Sequence, residues 1–432
     1  MRQLKLELRH SSFRFVAPAL AILAIGVGVT SSWTQVASWQ NISEALLQTT
    51  HFLAPFLAGF GAWESLRSAR RNLTVSESTA SLSLASIRAP QFIAMVLWVI
   101  ALTIVIFLSL LIRAGIIGHL DGSAEIFSLT LAVAANVLFI TVGFVVAEIT
   151  RQWWSIPFAV LIPLALYAIE LFGNGTRWLL ALNPLHGYIA ANGQLPDSSA
   201  FAGQCLVALA SVLLLIAVAM SRDRTRSAVT IGLIGILAIV PLVTGGALVA
   251  SSNGQEWRAQ ADAELEWTTE KKNGVSVTVL STYTPVLDQL TSTWARISDL
   301  TSTSDLAFTS LQQDLDPTYD PEAPSKTFFR LDLNPRAADI VSSSIEAGFN
   351  DVSACTPNDQ SGDFWLQGHL IVQSWFMDRR AFGSNVSIDS DPRLGEGLSA
   401  LFSLSPDEAR AWVKEHPQNI RTCSWDYADF EF

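Results

Sequence analysis

The chain has 432 residues, half of them hydrophobic and only 15% charged, with a formal net charge of −11. Residues 1–250 hold 14 basic and 10 acidic side chains, net +4, whereas residues 251–432 hold 13 and 28, net −15. That division excludes an ordinary soluble protein for the first part and a nucleic-acid partner for the second.

In chain order, residues 1–12 are basic, with Leu4, Leu6 and Leu8 alternating ahead of Phe13 and Phe15. This is the pattern of a short amphipathic helix lying along the inner membrane interface. Residues 13–250 then hold seven apolar stretches: Phe13–Trp33, Leu46–Leu66, Pro90–Ile112, Ile126–Ala147, Trp154–Phe172, Phe201–Met220 and Thr230–Ala250. At about 1.5 Å per residue, roughly twenty residues match a hydrocarbon core of about 30 Å. Each stretch is apolar all round, so seven membrane spans are expected. The first exceeds the usual h-region of about 7–15 residues and reads as a span, not a cleaved signal.

Loop charge orients the spans. The N-terminal segment (Arg2, Lys5, Arg9, Arg14), the second loop (Arg67, Arg70, Arg71, Arg88), the fourth (Arg151) and the sixth (Arg222, Arg224, Arg226) carry twelve cations. The intervening loops carry Arg113 and Arg177 only. The positive-inside rule therefore puts the N-terminus in the cytoplasm and residues 251–432 outside the plasma membrane.

Three ionisable groups fall in or beside spans: His51, Glu148 and Glu170. An intramembrane ionisable group is a functional candidate by default. Each also has a plainer reading: His51 as a packed neutral ring, Glu148 as a boundary ion pair with Arg151, Glu170 as a hydrated group near the exterior. The loop Glu64–Ala89 is the longest on the cytoplasmic side, with a short helix expected from Ser76. Between spans five and six, RWLLALNPLHGYIAANG predicts a helix dipping into the membrane over Trp178–Leu182 and broken at Asn183-Pro184. Cys205 lies within span six as a small packing residue.

The C-terminal block reads as an α+β domain. A helical stalk is expected over Gln255–Lys272, strands over Val275–Leu280, Phe328–Leu333 and Ile420–Trp425. Helices are expected over Pro285–Leu300, Ala337–Phe349, Asp363–Arg380 and Ser405–Glu415, the last started by Ser405 as N-cap and Pro406 at N1. Cys355 and Cys423, the two cysteines of this block, predict one disulfide on an oxidising face, closing a loop of about 70 residues and worth about 3–4 kcal/mol.

No GxxxxGK[ST] loop, HExxH or GxSxG occurs. His369 lacks a second histidine at zinc spacing, and the acidic run Asp305–Glu322 reads as a solvated loop. No catalytic residue, cofactor or metal ligand is expected, and the chain is not read as an enzyme.

Three segments carry a family likeness: MRQLKLELRHS entering span one, AWESLRSARR at the inner end of span two, and LNPLHGY (Leu182–Tyr188) before span six. Together with six-span spacing they resemble the permease subunit of bacterial ABC type-2 exporters, in a divergent Gram-positive form. That resemblance implies a six-span core, here with a seventh span and an exterior domain added. It also implies a separate cytoplasmic ABC ATPase and a second permease copy or paralogue as partners, within membrane lipid. Glu64, Arg67, Arg70 and Arg71 would then introduce the ATPase-docking segment. An alternative is a membrane-anchored sensor or assembly protein whose exterior domain binds a ligand or partner.

Overall fold

The computed structural model describes residues 2–31, 38–70, 84–117, 126–172, 181–184, 194–221, 228–252, 257–259, 265–313, 327–329, 364–377, 392–422, 424–425 and 427–430. The chain divides into two compact units.

The first unit is helical. A short amphipathic helix α1 (Arg2–His10) is followed by α2 (Phe13–Ser31), α3 (Trp39–Ser65), the single turn α4 (Arg67–Arg70), α5 (Leu84–Ile117), α6 (Ile126–Thr150), α7 (Ser155–Phe172), α8 (Ser198–Ser221) and α9 (Ala228–Ser251). A helix thus stands over each of the seven apolar stretches. By length and composition, four described stretches suffice to cross a membrane: Arg88–Ile116, Ile126–Thr150, Ser198–Ser221 and Gly232–Ser251. The pair α1–α2, bent by 54°, makes a fifth if counted as one span. This is the make-up of a helical membrane protein, with four to five candidate spans among the described residues. α3 is long enough at 27 residues, but Asn41, Ser43, Glu44, Gln48, Thr49, Thr50 and His51 dilute its first half. α7 falls short because its apolar run, Ser155–Ile169, is brief.

Small residues let these helices touch. α3 and α6 run parallel, since Ser43 meets Ser128 near their starts at 2.9 Å and Ser65 meets Glu148 near their ends at 3.3 Å. Midway their backbones are in contact: a Cβ on Gly143 would collide with the Ala58 carbonyl, and one on Gly61 with that of Ile140. Backbone approach of this kind replaces hydrophobic driving force between helices in lipid. Asn136 donates to Thr103 at 3.0 Å and ties α6 to α5. α8 and α9 form a hairpin in which Gly203 and Gly245 face each other. A Cβ on either would lie within 2.7 Å of the other's carbonyl oxygen.

The strands β1 (Gln194–Pro196) and β2 (Trp257–Ala259) pair antiparallel, Leu195 opposite Arg258. The chain entering α8 is thereby joined to the chain leaving α9, at one end of the hairpin. Asp197 then caps α8 by accepting from the amides of Ser199 at 2.8 Å and Ala200 at 3.1 Å.

The second unit has a four-stranded sheet with neighbours in the order β3 (Trp267–Lys272), β4 (Val275–Leu280), β5 (Ser310–Gln313), β6 (Thr327–Phe329). β3 and β4 are antiparallel across an Asn273-Gly274 turn with φ of 49° and 85°, the conformation that Asn-Gly supplies at least cost. β4, β5 and β6 are parallel, and α10 (Thr284–Thr301) crosses from β4 to β5. Val275, Val277 and Val279 alternate inward against Val286, Leu290, Trp294 and Ile297 of α10.

Four further helices follow: α11 (Phe364–Met377), α12 (Pro392–Ser403), α13 (Pro406–Glu415) and α14 (Pro417–Thr422). Trp412 stacks on Trp425 at 5.7 Å and meets Trp375 edge-on at 5.5 Å. α13 starts on a full capping box. The Ser405 hydroxyl and then its amide, both donating to Glu408, hold that carboxyl below the usual carboxylate range.

Two expectations are corrected here. The described parts of the stalk Gln255–Lys272 are not helical: β2 and β3 occupy them, because Trp267-Thr268-Thr269 is β-forming and pairs along β4. The segment Ile420–Trp425 is no strand. Pro417 instead begins α14, which ends at Thr422. Ala337–Phe349, the second half of the Asp305–Glu322 run and the helix expected from Ser76 lie outside the described residues.

The close contact of α3 and α6 gives a direct check. Gly143→Ala should cost about 1–3 kcal/mol or more by overpacking, whereas Gly246→Ala, with open space around it, should change stability by less than about 1 kcal/mol. Thermal unfolding of the detergent-solubilised chain measures both.

Candidate functional site

One end of the helical unit collects charge. α3 ends there with Glu64, whose side chain is fully buried. Such a carboxylate needs a cation at contact distance, and Arg67 supplies it one turn later at 3.0 Å. The same guanidinium reaches Glu7 of α1 at 2.6 Å, so one arginine pins the amphipathic helix to the end of α3. α1 is held again by the Trp98 indole of α5, which donates to the Leu8 carbonyl at 3.4 Å. The turn into α2 is held by Ser11, whose hydroxyl accepts from the Phe13 amide at 3.2 Å.

A helix C-terminus also leaves carbonyls without intrahelical donors. At α3 they are met from α5. Gln91 donates to the Glu64 carbonyl at 2.7 Å and Arg88 to the Ser65 carbonyl at 3.0 Å. A cation at this helix end also suits the α3 dipole. Glu148 of α6 completes the group. It accepts from the Ser65 hydroxyl at 3.3 Å and lies 4.0 Å from Arg88 and 3.4 Å from Arg151. Arg151 follows α6 with φ of 52°, the left-handed turn that ends many helices. Among the described residues, three carboxylates and three guanidiniums therefore join α1, α3, α5 and α6 into one interlocked end.

Each candidate residue now has a place. Glu64 and Arg67, expected to introduce a docking segment, are internal: with Glu64 fully buried and the Arg67 side chain 16% exposed, both are committed to holding helices together. Arg70 is different. It is exposed, lies over the Trp63 ring at 3.5 Å and donates to the Trp63 carbonyl at 2.8 Å. Arg71 lies outside the described residues. Glu148 belongs to the charged end. His51 does not: it stands near the middle of α3, about 20 Å along the axis from Glu64. Its ring meets Tyr167 edge-on at 5.7 Å.

Glu170 lies in the last turn of α7, and its side chain is outside the described residues. Asn183 and Pro184 form part of a turn whose Ala181 carbonyl accepts from Gln204 of α8 at 3.0 Å. Of the expected dipping helix, only Ala181 and Leu182 are described, both in this turn. Cys355 and Cys423 are outside the described residues, and no disulfide is supported.

Sequence reasoning missed Glu7, Ser65, Arg88 and Gln91 as partners. The available signal was that Glu7 is the one acid of a basic N-terminal segment, and a lone acid among arginines invites pairing. No family model matches the chain, and no curated protein or solved structure matches it either. Function must therefore be argued from the charged end itself.

The pairing makes a sharp prediction. Arg67→Ala should destabilise the chain by about 3–5 kcal/mol, because it leaves Glu64 buried without its cation. Adding Glu64→Gln to that variant should recover more than about 1 kcal/mol, measured as a double-mutant cycle on thermal unfolding. Equal losses in the single and double variants would show that the ion pair is not what holds this end.

Proposed function

We propose that the chain is the permease subunit of an ABC-type transporter. It couples ATP hydrolysis by a separate cytoplasmic ATPase to export of a substrate across the plasma membrane. In this reading the six-span core is extended by a seventh span, the charged end faces the cytoplasm, and residues 251–432 lie outside. A second copy or a paralogue faces it across the membrane.

The observation that supports the reading is the convergence of three arginine-bearing segments, through Arg67, Arg88 and Arg151, on one end of the helical unit. An excess of arginine marks the cytoplasmic face. Motion driven by a soluble ATPase has to enter the membrane from that face, through whatever joins several helices rigidly. The ion-paired end does this: a push on α1 or on the end of α3 is carried to α5 and α6 without slack. Arg70, exposed beside Trp63, offers a partner a cation and an apolar ring together, the pairing that dominates many protein contacts.

Charge reversal of Arg70 and Arg71 tests the docking role. The affinity-tagged full chain, co-expressed with ABC ATPases of its source, should lose co-purified ATPase by about tenfold or more, a loss of at least 1.4 kcal/mol. Membrane insertion and thermal stability should stay unchanged. Undiminished ATPase recovery would remove the docking role and favour a membrane-anchored sensor or assembly protein.

A further inference from the structure

A groove of about 690 Å3 lies within the helical unit, walled by α3 and α7 with Val27 of α2 at its side. Its volume falls within the range typical of small-molecule sites, about 300–1,000 Å3. Its two ends differ. At one end Gln48 and His51, one turn apart on α3, face the groove with Tyr167 of α7, whose ring contacts that of His51. At the other end the helices close on apolar groups: a Cβ added to Gly59 would lie 2.8 Å from a Val160 methyl. The eleven residue steps from Gln48 to Gly59 correspond to about 16 Å of helix. Phe56 and Leu164, both nearly half exposed, edge the opening.

The setting selects the occupant. His51 lies about 20 Å from the charged end along α3, a depth at which the surroundings are lipid chains if that end marks the membrane boundary. The opening edged by Phe56 and Leu164 admits an apolar chain from that surrounding lipid. Among the described residues no carboxylate, lysine or arginine lines the groove to compensate a charged head. An amide, an imidazole and a phenol can instead both donate and accept hydrogen bonds to an uncharged group.

We propose that this groove binds a long-chain amphiphile, its uncharged hydrogen-bonding head at Gln48, His51 and Tyr167 and its tail running toward Gly59. The proposal does not depend on ATP-driven transport. A hydroxyl head on a long chain is common to free fatty alcohols and to diacylglycerol of the bilayer, and the test separates these sources.

The full chain is reconstituted in vesicles of phosphatidylcholine and phosphatidylglycerol and photolabelled in separate arms. The probes are diazirine-bearing hexadecanol, diazirine-bearing diacylglycerol and diazirine-bearing phosphatidylglycerol. Labelled peptides are then mapped. Hexadecanol or diacylglycerol should mark residues 48–59 and 160–167 about tenfold above the exposed apolar face of α9 around Ile236 and Val240, the stronger probe naming the source. Leu164→Trp, which fills the opening, should remove most of that excess and leave α9 labelling as it was. Should Leu164→Trp not fold, Tyr167→Phe should lower groove labelling about threefold by loss of one head-group hydrogen bond. Equal labelling of groove and α9 would overturn the proposal, as would equal labelling by charged phosphatidylglycerol. Labelling indifferent to a folded Leu164→Trp would do the same.

Discussion

A carboxylate with no access to water, at the end of a 27-residue helix, constrains everything around it. Glu64 must be neutralised where it lies, and Arg67 does so while also holding Glu7. Fixing α1 to α3 in this way sets the 54° bend between α1 and α2. The same helix end needs donors for its last carbonyls, and it takes them from Arg88 and Gln91. This in turn fixes where α5 begins. Arg88 and Ser65 then reach Glu148, so the end of α6 is set as well. Four helix ends are positioned by one chain of charges, and the contact of Gly61 and Gly143 with the opposite backbones locks α3 against α6 above it.

The two ends of the helical unit are built on different chemistry. At the charged end, breaking the Glu64–Arg67 pair would leave a buried charge, while the Glu148–Arg151 pair is half open to water. Away from it, helix contacts rest on glycine, alanine and single hydroxyl or amide pairs, such as Asn136 with Thr103. Those contacts are individually modest, about 0.6 kcal/mol on average for hydrogen bonds between membrane helices. Along the wall of α3 and α7, Pro55 and Pro163 each remove one helix amide.

Much of the helical unit was legible because apolar runs and arginine-rich flanks are strong signals. A helix covers every one of the seven runs, and the basic segments around Arg67, Arg88 and Arg151 gather at one end. The span count was harder to read, because α3 alternates Thr and Gln with Leu and Phe, a pattern that length alone does not settle. Pairing across sequence was not readable at all. Glu64 carries the same letter whether it faces a partner or is buried, and the second contact of its partner Arg67, Glu7, arrives from sixty positions away. In the second unit, Val275–Leu280 and the Ser405 start signal were plain. Trp267–Lys272 reads as charged helix until its strand partner is known, since β pairing depends on neighbours more than on the residues themselves.

The claim that the ion-paired end faces the cytoplasm is tested most directly by a membrane-impermeant maleimide on intact cells. Arg70→Cys reports on the charged end and Glu415→Cys on the second unit, each read above the labelling of the unsubstituted chain. The expected result is labelling at position 415 in intact cells, and at position 70 only after the membrane is opened. Labelling of position 70 in intact cells, with position 415 protected, would contradict it.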